Sequence, residues 1–515
     1  MIADLKPYPE YEESGMTWLG PVPRHWHLMP AFGAFMPNRD RNRGMKEKTV
    51  LSLSYGRIII KPAEKLHGLV PESFETYQIV NPGDIILRTT DLQNDHTSLR
   101  VGMVRDRGII TSAYLALKVS TEVSPDFGFQ LLNVWDTSKA IYGYGSGLRQ
   151  NLDFSHFKRM PVAVPPPDEQ AAIVRFLDWA NGRLERAIRA KRKVIALLNE
   201  QKQAIIHRAI TRGLDPAVPL KPSGIPGLGN IPQHWVTLPL KRVVEVKDGT
   251  HDTPPYVEPS DASFPLVTSK DFGPSAICFD HAKHISSSHH KEVMKRSNTE
   301  RGDILMSMIG GNIGKALIVD TDREFSIKNV ALFKTCGDPI LARFILYYLQ
   351  SGLLDIHIAL LSKGGAQGFL GLGQIRNLAF AKMPVSEMGD IVEALDLRLQ
   401  FFDRLITTTR NSINLIMAYR TRLVADVVTG KLDVREAATR LPGEATEATT
   451  LDTPQNDADL SDENEPADEE AVVPTLGGGV DDGDAVGDAG ERVGDEAELV
   501  VAGALDVGRS GGGRA

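Results

Sequence analysis

Cysteine is almost absent from this chain of 515 residues, which contains only Cys278 and Cys336. They are 58 positions apart and lack CxxC spacing, so we expect neither a disulfide framework nor a zinc site. Long apolar stretches are missing too, since none approaches the roughly 20 residues that span a bilayer. The N-terminal residues MIADLKPYPEYEESG also lack the basic and apolar regions of a signal peptide. We therefore expect a cytoplasmic protein that is not embedded in a membrane.

The motifs of common catalytic sites are missing as well. GGNIGKA from Gly310 lacks the first glycine of a P-loop and has Ala316 where Ser or Thr would bind magnesium. We find no G-x-S-x-G and no H-E-x-x-H pattern. We expect no active site, no metal site and no cofactor in this chain. Four loosely spaced histidines are predicted to be solvated loop residues, not metal ligands: His281, His284, His289 and His290.

Charge is segregated along the chain, so the formal net charge of -8 hides two different parts. Residues 441–515 contain 20 Asp and Glu against 3 Arg, whereas residues 1–440 contain 55 Lys and Arg against 46 Asp and Glu. The acidic part is rich in Gly and almost free of aromatic residues, so it cannot bury enough apolar surface to offset the entropy of ordering. We predict a disordered acidic tail, whose simplest role is that of a solubilising extension.

Several short sequence motifs occur twice along the chain, in the same order. WLGPVPRHW from Trp18 and GLGNIPQHW from Gly227 align with Gly, Pro, His and Trp in the same relative positions. PGDIILRTT from Pro82 matches RGDILMSMI from Arg301, and FKRMPVAVP from Phe157 matches FAKMPVSEM from Phe380. The offset between the two copies grows slightly along the chain, as loop insertions within one duplicated fold would produce. The sequence therefore predicts a twofold internal repeat of about 215 residues.

Each copy changes from strand-like to helix-like periodicity. GDIILRTT, GDILMSMI and VALFKTC are short, β-branched or alternating and bounded by turn residues, as strands are. Beyond them, apolar residues recur at alternating threes and fours over about 40 residues, the pattern of a coiled-coil seam. The two seams are related by one constant offset, so we expect the two helices to pair, although each could instead pack on its own globule. The candidate helix-pairing and subunit-docking residues are Leu177, Leu184, Leu198, Ile205, Leu395, Phe402, Ile416 and Leu423.

These observations predict an α/β (α+β) fold with two pseudo-repeated globular domains, two long helices in an antiparallel coiled coil and a disordered acidic C-terminal tail. We place the first domain at residues 1–165 and the central helix at 166–212. The second domain follows at 213–385, the distal helix at 386–430 and the tail at 431–515. A helix of about 40 residues is roughly 60 Å long, which approaches two turns of duplex DNA.

Basic and amide side chains beside glycines or aromatic residues are the main candidates for binding. Arg and Gln read guanine and adenine edges, while Lys and Ser suit phosphates. A charge run is usually only a solvated surface, so DNA binding is a hypothesis at this point. Trp26 and Trp235 each precede a strand-like run, and we expect them to be packing anchors. The candidate DNA-binding residues are Arg39, Arg41, Arg43, Arg88, Arg149, Gln150, Lys270, Lys363 and Gln367.

The chain resembles specificity subunits of type I restriction-modification systems. The resemblance lies in the repeated His-Trp motif, the junction GLRQNLDFSHFKRMPVAVPPPDEQAAIVRFLD from Gly147 and the ending HRAITRGLD. The resemblance covers roughly residues 14–435. Its most specific element is PPPDEQ, Pro165–Gln170, which runs into a heptad helix. The second helix lacks this signature, which leaves open whether its docking surface is equivalent to the first.

The resemblance implies a non-catalytic DNA-recognition subunit. Two target-recognition domains would each read one half of a bipartite sequence in double-stranded DNA. The helices would set the spacing and dock two methyltransferase (modification) subunits, and restriction (motor-nuclease) subunits would join that core. S-adenosylmethionine, ATP and magnesium would belong to those partners. The acidic tail is not part of the family pattern.

Two other functional classes remain open from the residues alone. A non-catalytic coiled-coil scaffold would explain the seams, but it would leave the glycine loops with Arg and Gln without a purpose. A DNA-binding regulator with duplicated domains would be expected to have a recognition helix, and we identify none. A self-contained restriction enzyme would need methyltransferase and nuclease motifs in addition to the repeat.

Overall fold

Two related successions of strands and helices occur along the chain, and each leads into a long helix. The computed structural model describes residues 5–62, 73–90, 92, 99–142, 152–310, 313–361 and 369–442. The first copy consists of β1 (Tyr11–Glu13), β2 (Pro21–Pro23), β3 (His27–Pro30), α1 (Ala31–Ala34), β4 (Phe35–Pro37), β5 (Leu51–Ser54), β6 (Arg57–Ile60), β7 (Gln78–Val80), β8 (Ile85–Leu87), β9 (Val101–Met103), β10 (Gly108–Ile110), β11 (Leu115–Val119), α2 (Pro125–Thr137), α3 (Phe154–Phe157) and β12 (Pro161–Val164). The long helix α4 (Pro167–Arg212) follows.

The second copy leads into a second long helix. Its elements are β13 (Leu220–Pro222), β14 (Asn230–Pro232), β15 (Val236–Pro239), β16 (Glu245–Asp248), β17 (Tyr256–Val257), β18 (Ser263–Val267), β19 (Lys283–Ser286), α5 (Ser287–Arg296), β20 (Ile304–Ser307), β21 (Ala316–Ile318), β22 (Ser326–Ile327), β23 (Val330–Lys334), α6 (Pro339–Gln350), α7 (Leu353–Leu361), α8 (Leu372–Arg376) and β24 (Ala379–Lys382). The helices α9 (Val385–Val428) and α10 (Arg435–Thr439) complete the described chain.

A four-stranded antiparallel sheet lies at the centre of each copy. Its strand order is β4-β11-β8-β9 in the first and β16-β23-β20-β21 in the second. The helix after the sheet begins in the same way in both: Ser124 caps α2 and Asp338 caps α6, and each is followed by a proline at the first helical position. Side-chain capping and proline at this position both favour helix initiation. The mixed helix and sheet fold predicted from the sequence is confirmed.

At the strand before each long helix, the alignment of the two copies by sequence is wrong. Val164 of β12 pairs with His27, and Lys382 of β24 pairs with Val236. Because His27 and Val236 are equivalent positions of the repeat, the structure aligns Val164 with Lys382, whereas the Met-Pro-Val motif aligns it with Glu387. The first Met-Pro-Val therefore begins a strand, whereas the second, 383–385, runs from the end of β24 into α9. A tripeptide with proline suits a strand edge and a helix start equally well, so identical letters here do not mark equivalent positions.

The helices α4 and α9 pack against each other in antiparallel orientation. Glu185 pairs with Arg420 at 3.1 Å, and Lys202 pairs with Asp403, so position numbers rise along one helix as they fall along the other. The two acids occupy equivalent positions of the repeat, as do the two bases, and a single pseudo-twofold operation relates the two ion pairs. The predicted antiparallel coiled coil is confirmed. Of the eight seam residues, Leu177, Leu395 and Leu423 are buried and the others are less completely covered.

Each domain packs its core against both long helices. In the first, Leu177 from the start of α4 and Val427 from the end of α9 join one hydrophobic core. In the second, Ile210 from the end of α4 and Leu395 from the start of α9 join another. This sharing excludes the alternative in which each helix packs only on its own globule.

The predicted tail begins too early. Residues 431–442 are folded: Val434, Ala438 and Leu441 are buried in the first core, and the backbone of Asp433 bridges to that of Lys6. Arg435 lies over the ring of Tyr8 at 5.1 Å. Periodicity cannot identify this segment because its helix, α10, has only 5 residues and is held by residues near the opposite end of the chain. The acidic residues 443–515 lie outside the described part of the chain.

Candidate nucleic-acid interface

A buried carboxylate anchors the start of α4. Glu169 is in the first turn of the helix and is 4% exposed. Its Oε1 accepts hydrogen bonds from the Tyr8 hydroxyl at 2.5 Å and the Trp26 indole at 2.9 Å, and its Oε2 lies 2.8 Å from His25 Nε2. Burial, together with the bond to Glu169, raises the pKa of the Tyr8 hydroxyl, which therefore stays protonated and donates. The negative charge also suits a helix N-terminus.

The second copy repeats this anchor with fewer partners. Glu387, at the same position of α9, lies 2.8 Å from His234 Nε2 and accepts from the Trp235 indole at 3.0 Å. Trp26 and Trp235 are both buried, so their expected role as packing anchors is confirmed. The repeated His-Trp phrase thus holds the first-turn glutamate of each long helix. We call these two arrangements the first and second helix anchors.

The end of the other helix completes each anchor. Gly430, just beyond α9, has φ +75° and approaches Pro23 and Trp26 so closely that a Cβ would lie 2.4 Å from Pro23. Gly213, just beyond α4, has φ +71°, and a Cβ there would lie 3.5 Å from Trp235. Glycine at this C-terminal position is therefore required by conformation at both sites and by space at the first. This accounts for the glycine in both endings, ITRGLD and VTGKLD.

The glutamine of the PPPDEQ signature also has a structural role. Gln170 is buried, accepts a hydrogen bond from the backbone of Ser124, and donates to the carbonyls of Glu122 and Pro165. Met388 occupies the corresponding position in the second copy and cannot make these bonds. The second copy thus retains the glutamate of the signature but not the glutamine.

The predicted DNA-binding residues are placed as follows. Arg39, Arg43 and Lys270 are exposed, and their side chains form no hydrogen bond or ion pair with other described residues. Arg41 is exposed but donates to the carbonyl of Thr76, and Arg88 is half-buried beside the fully buried Arg100. Four further candidates lie outside the described residues: Arg149, Gln150, Lys363 and Gln367.

Among the described residues, one difference between the two domains lies between the first and second strands, in chain order, of their central sheets. In the first domain this insertion, residues 38–84, contains the β5–β6 hairpin and β7. In the second it comprises residues 249–303, with β17, β18, β19 and α5, and β18 there pairs in parallel with β22. Arg39, Arg43 and Lys270 all lie in these insertions. A common frame thus carries two different polar surfaces.

A cationic groove of about 550 Å³ in the second domain is not evident from the sequence. Arg376 donates through Nε and Nη2 to the carbonyl of Val246 at 2.9 and 2.7 Å, which fixes the guanidinium at the groove. Lys241 and Arg242 line it and form no ion pair within the described chain. The adjacent Lys-Arg pair is the available sequence signal, but Arg376 joins it only through folding.

The prediction of solvated loop histidines is wrong for three of the four. His284 lies on β19 and His289 on α5, and both are half-buried. The third, His290, is buried. This residue lies on α5, is 4% exposed, stacks on Phe264 at 3.9 Å between ring centroids, and contacts the Ser326 hydroxyl at 2.9 Å. Burial lowers its pKa. The phenylalanine that covers it is 26 positions earlier in the chain, so local spacing could not predict its burial. No group of three potential metal ligands occurs in the described ranges.

The chain is similar to the type I restriction enzyme MjaVIII specificity subunit of Methanocaldococcus jannaschii, with 23% identity over 367 residues that cover 69% of this chain and 81% of the relative. It also matches a solved chain from a structure on complex assembly and conformational transition of the type I R-M system, with 17% identity, a TM-score of 0.50, and coverage of 80% of this chain and 99% of that chain. The crystal structure of the HsdS subunit from Thermoanaerobacter tengcongensis covers 80% of this chain and 98% of that chain, with 15% identity and a TM-score of 0.37. No family model matches the chain.

The resemblance predicted from the repeated motifs is confirmed by the similarity to the MjaVIII subunit, and the fold by the first of the two solved structures. Within the described ranges, no helix is long and apolar enough to cross a membrane.

Proposed function

We propose that this chain is the non-catalytic DNA-recognition subunit of a type I restriction-modification complex. Each domain reads one half of a bipartite target in double-stranded DNA, and the α4–α9 pair sets the distance between the halves. One observation carries the proposal. The two domains share the central sheet, the helix after it and the helix anchor, but they differ in their polar insertions. The paired helices relate the two domains by a pseudo-twofold axis. Similarity to a specificity subunit supports the same function.

The long helices are also the proposed docking site for two methyltransferase subunits. Large apolar side chains remain exposed along them, including Leu397 at 66%, Phe401 at 62% and Leu415 at 72%, which is typical of a surface that another protein covers. The two faces are not chemically equal. The counterparts of Leu397 and Phe401 on α4 are Trp179 and Arg183, and the Arg183 guanidinium lies 5.3 Å from the Trp179 ring.

The partners supply the chemistry in this proposal. Methyltransferase subunits provide the S-adenosylmethionine site and flip the target base, and motor-nuclease subunits provide ATP and magnesium sites. A cytoplasmic location follows from this role.

Coexpression tests the proposal. With its methyltransferase partner, the chain should direct adenine methylation to one bipartite sequence, and neither protein should do so alone. Methyl transfer by the isolated chain would contradict the non-catalytic role. Normal assembly with the methyltransferase without any sequence-directed methylation would favour the scaffold, and repression of a promoter by the chain alone would favour the regulator.

A further inference from the structure

The hairpin formed by β5 and β6 has one face that the fold of its own domain does not use. Its strands pair Leu51 with Ile60, Ser52 with Ile59, Leu53 with Ile58 and Ser54 with Arg57. Side chains alternate between the two faces of a strand. One face therefore carries Leu51, Leu53, Ile58 and Ile60, and the other carries Ser52, Ser54, Arg57 and Ile59.

Leu51, Leu53 and Ile58 of the apolar face attach the hairpin to the domain, whereas Ile60 on the same face is 52% exposed. Leu51 is 3% exposed and belongs to a hydrophobic core with Val80 and Ile86. A Cβ on Gly102 of β9 would lie 2.6 Å from Leu53 and 2.9 Å from Ile58. The hairpin therefore lies against β9 at Gly102, where a larger residue would displace the ends of the Leu53 and Ile58 side chains.

The other face ends in an exposed polar tip. Arg57 is exposed, and its side chain forms no hydrogen bond or ion pair within the described chain. Ser52 and Ser54 are half-buried, and their hydroxyls likewise form no hydrogen bond with the described residues. Ile59 is 46% exposed on the same face. Lys48, Arg57 and Lys61 are the charged residues of the segment 48–61, which contains no Asp or Glu. This charge is complementary to a nucleic acid and not to a cationic partner.

The turn at the tip carries an aromatic residue in an unfavourable conformation. Tyr55 and Gly56 have φ of 46° and 74°, the positive values that a two-residue type I′ hairpin requires and that Asn-Gly adopts most readily. Tyrosine is strained at the first position, and Tyr55 is 59% exposed, so packing does not compensate. Strain of this kind tends to occur at functional sites.

We propose that the β5–β6 hairpin enters the major groove and reads bases of the half-site bound by the first domain. The inference rests on the proposed function. The major groove admits a two-stranded ribbon, arginine reads guanine, serine accepts or donates at several bases, and an apolar side chain contacts the thymine methyl group. The insertion of the second domain is built instead from β17, β18, β19 and α5. The hairpin is therefore a feature by which the first domain would read a sequence different from that of the second.

Methylation by the complete complex tests the hairpin. For Arg57→Ala, discrimination at one guanine of one half-site should fall by roughly 5- to 150-fold in kcat/KM on duplexes with single substitutions, the range of one bidentate base contact. The other half-site and the spacer should not change. Arg105, an exposed arginine of the same domain paired with Asp126 at 3.4 Å, provides the control, and Arg105→Ala should leave discrimination intact.

A second variant distinguishes a loss of base recognition from a loss of protein stability. Tyr55→Asn suits the turn and should raise the melting temperature, yet it should weaken methylation of the cognate half-site. Unchanged discrimination in Arg57→Ala would overturn the inference, and so would an equal loss on all sequences, which indicates a phosphate contact. If the wild-type complex methylates no bipartite sequence, the proposed function itself fails. If the wild-type complex methylates a bipartite sequence and Arg57→Ala discriminates between duplexes as well as the wild type, only the hairpin inference fails.

Discussion

Glu169 and Glu387 occupy equivalent positions but differ in burial and in the number of donors they satisfy. Glu169 accepts from Tyr8 and Trp26 and contacts His25, whereas Glu387 contacts His234 and accepts from Trp235. Their side chains are 4% and 27% exposed. Loss of a buried acceptor leaves its donors without partners, and the cost rises with their number and burial.

Substitution of the two glutamates should therefore have unequal effects. We expect Glu169→Ala to lower the free energy of unfolding by about 2 to 4 kcal/mol and Glu387→Ala by about 1 kcal/mol, since water reaches the second anchor more easily. Urea unfolding of the two purified variants, followed by circular dichroism, measures the difference. Equal losses, or a larger loss for Glu387→Ala, would show that the buried hydrogen bonds of the first anchor are not what stabilises the start of α4.

The identities of individual residues predict some of their structural roles but not others. The repeated His-Trp phrase predicts two packing anchors, but not that each holds a helix glutamate. Tyr8 and Glu169 are 161 positions apart, and Gly430 meets Trp26 from the far end of the folded chain. No local pattern encodes such contacts. The prediction for His290 fails for the same reason, since its burial depends on Phe264 and Ser326 from other strands.

The paired helices α4 and α9 have a defined register. The ion pairs Glu185–Arg420 and Lys202–Asp403 are partly exposed, so each contributes little to stability, but together they specify which residues face each other. The same register places Asn414 of α9 beside Lys191 of α4. Any change in the length of one helix must then be matched in the other.

Adding one heptad at both Lys191 and Asn414 should lengthen the gap between the half-sites by about three base pairs, because seven residues add about 10 Å to each helix. Both half-sites should be read as before. The same insertion in α4 alone shifts the ion pairs out of register and should reduce methylation without a new spacing. The methylated sequence in cells reports both results. An unchanged spacer in the double insertion would mean that the helices do not set it.

Periodicity is sufficient to predict both long helices, because a seam that runs the length of a long helix gives many independent positions. Their pairing is favoured but not fixed by the sequence, because each helix could also pack on its own globule. Periodicity is not sufficient for short elements. The helix α10 comprises only Arg435–Thr439, and its apolar side chains are buried only because α4 and the N-terminal segment meet there. The Met-Pro-Val match fails at a similar scale, since three letters fit both a strand and a helix start.

Duplication explains why one chain contains two versions of the same arrangement of sheet and helices. The central sheet, the helix that follows it and the anchors recur, whereas residues 38–84 and 249–303 diverge. Selection for a constant frame and a variable surface would produce this distribution. The repeated phrases predict the duplication, but the divergent insertions become recognisable only once equivalent strands are matched in three dimensions.

Separate reading of the two half-sites by the two domains is tested by replacing residues 213–385 with the corresponding segment of another such subunit and sequencing the methylated positions in the host genome. We predict that one half of the methylated sequence changes, while the other half, its orientation and the spacer stay as in the parent. A chimera that folds and assembles but changes both halves, or neither, would contradict the account.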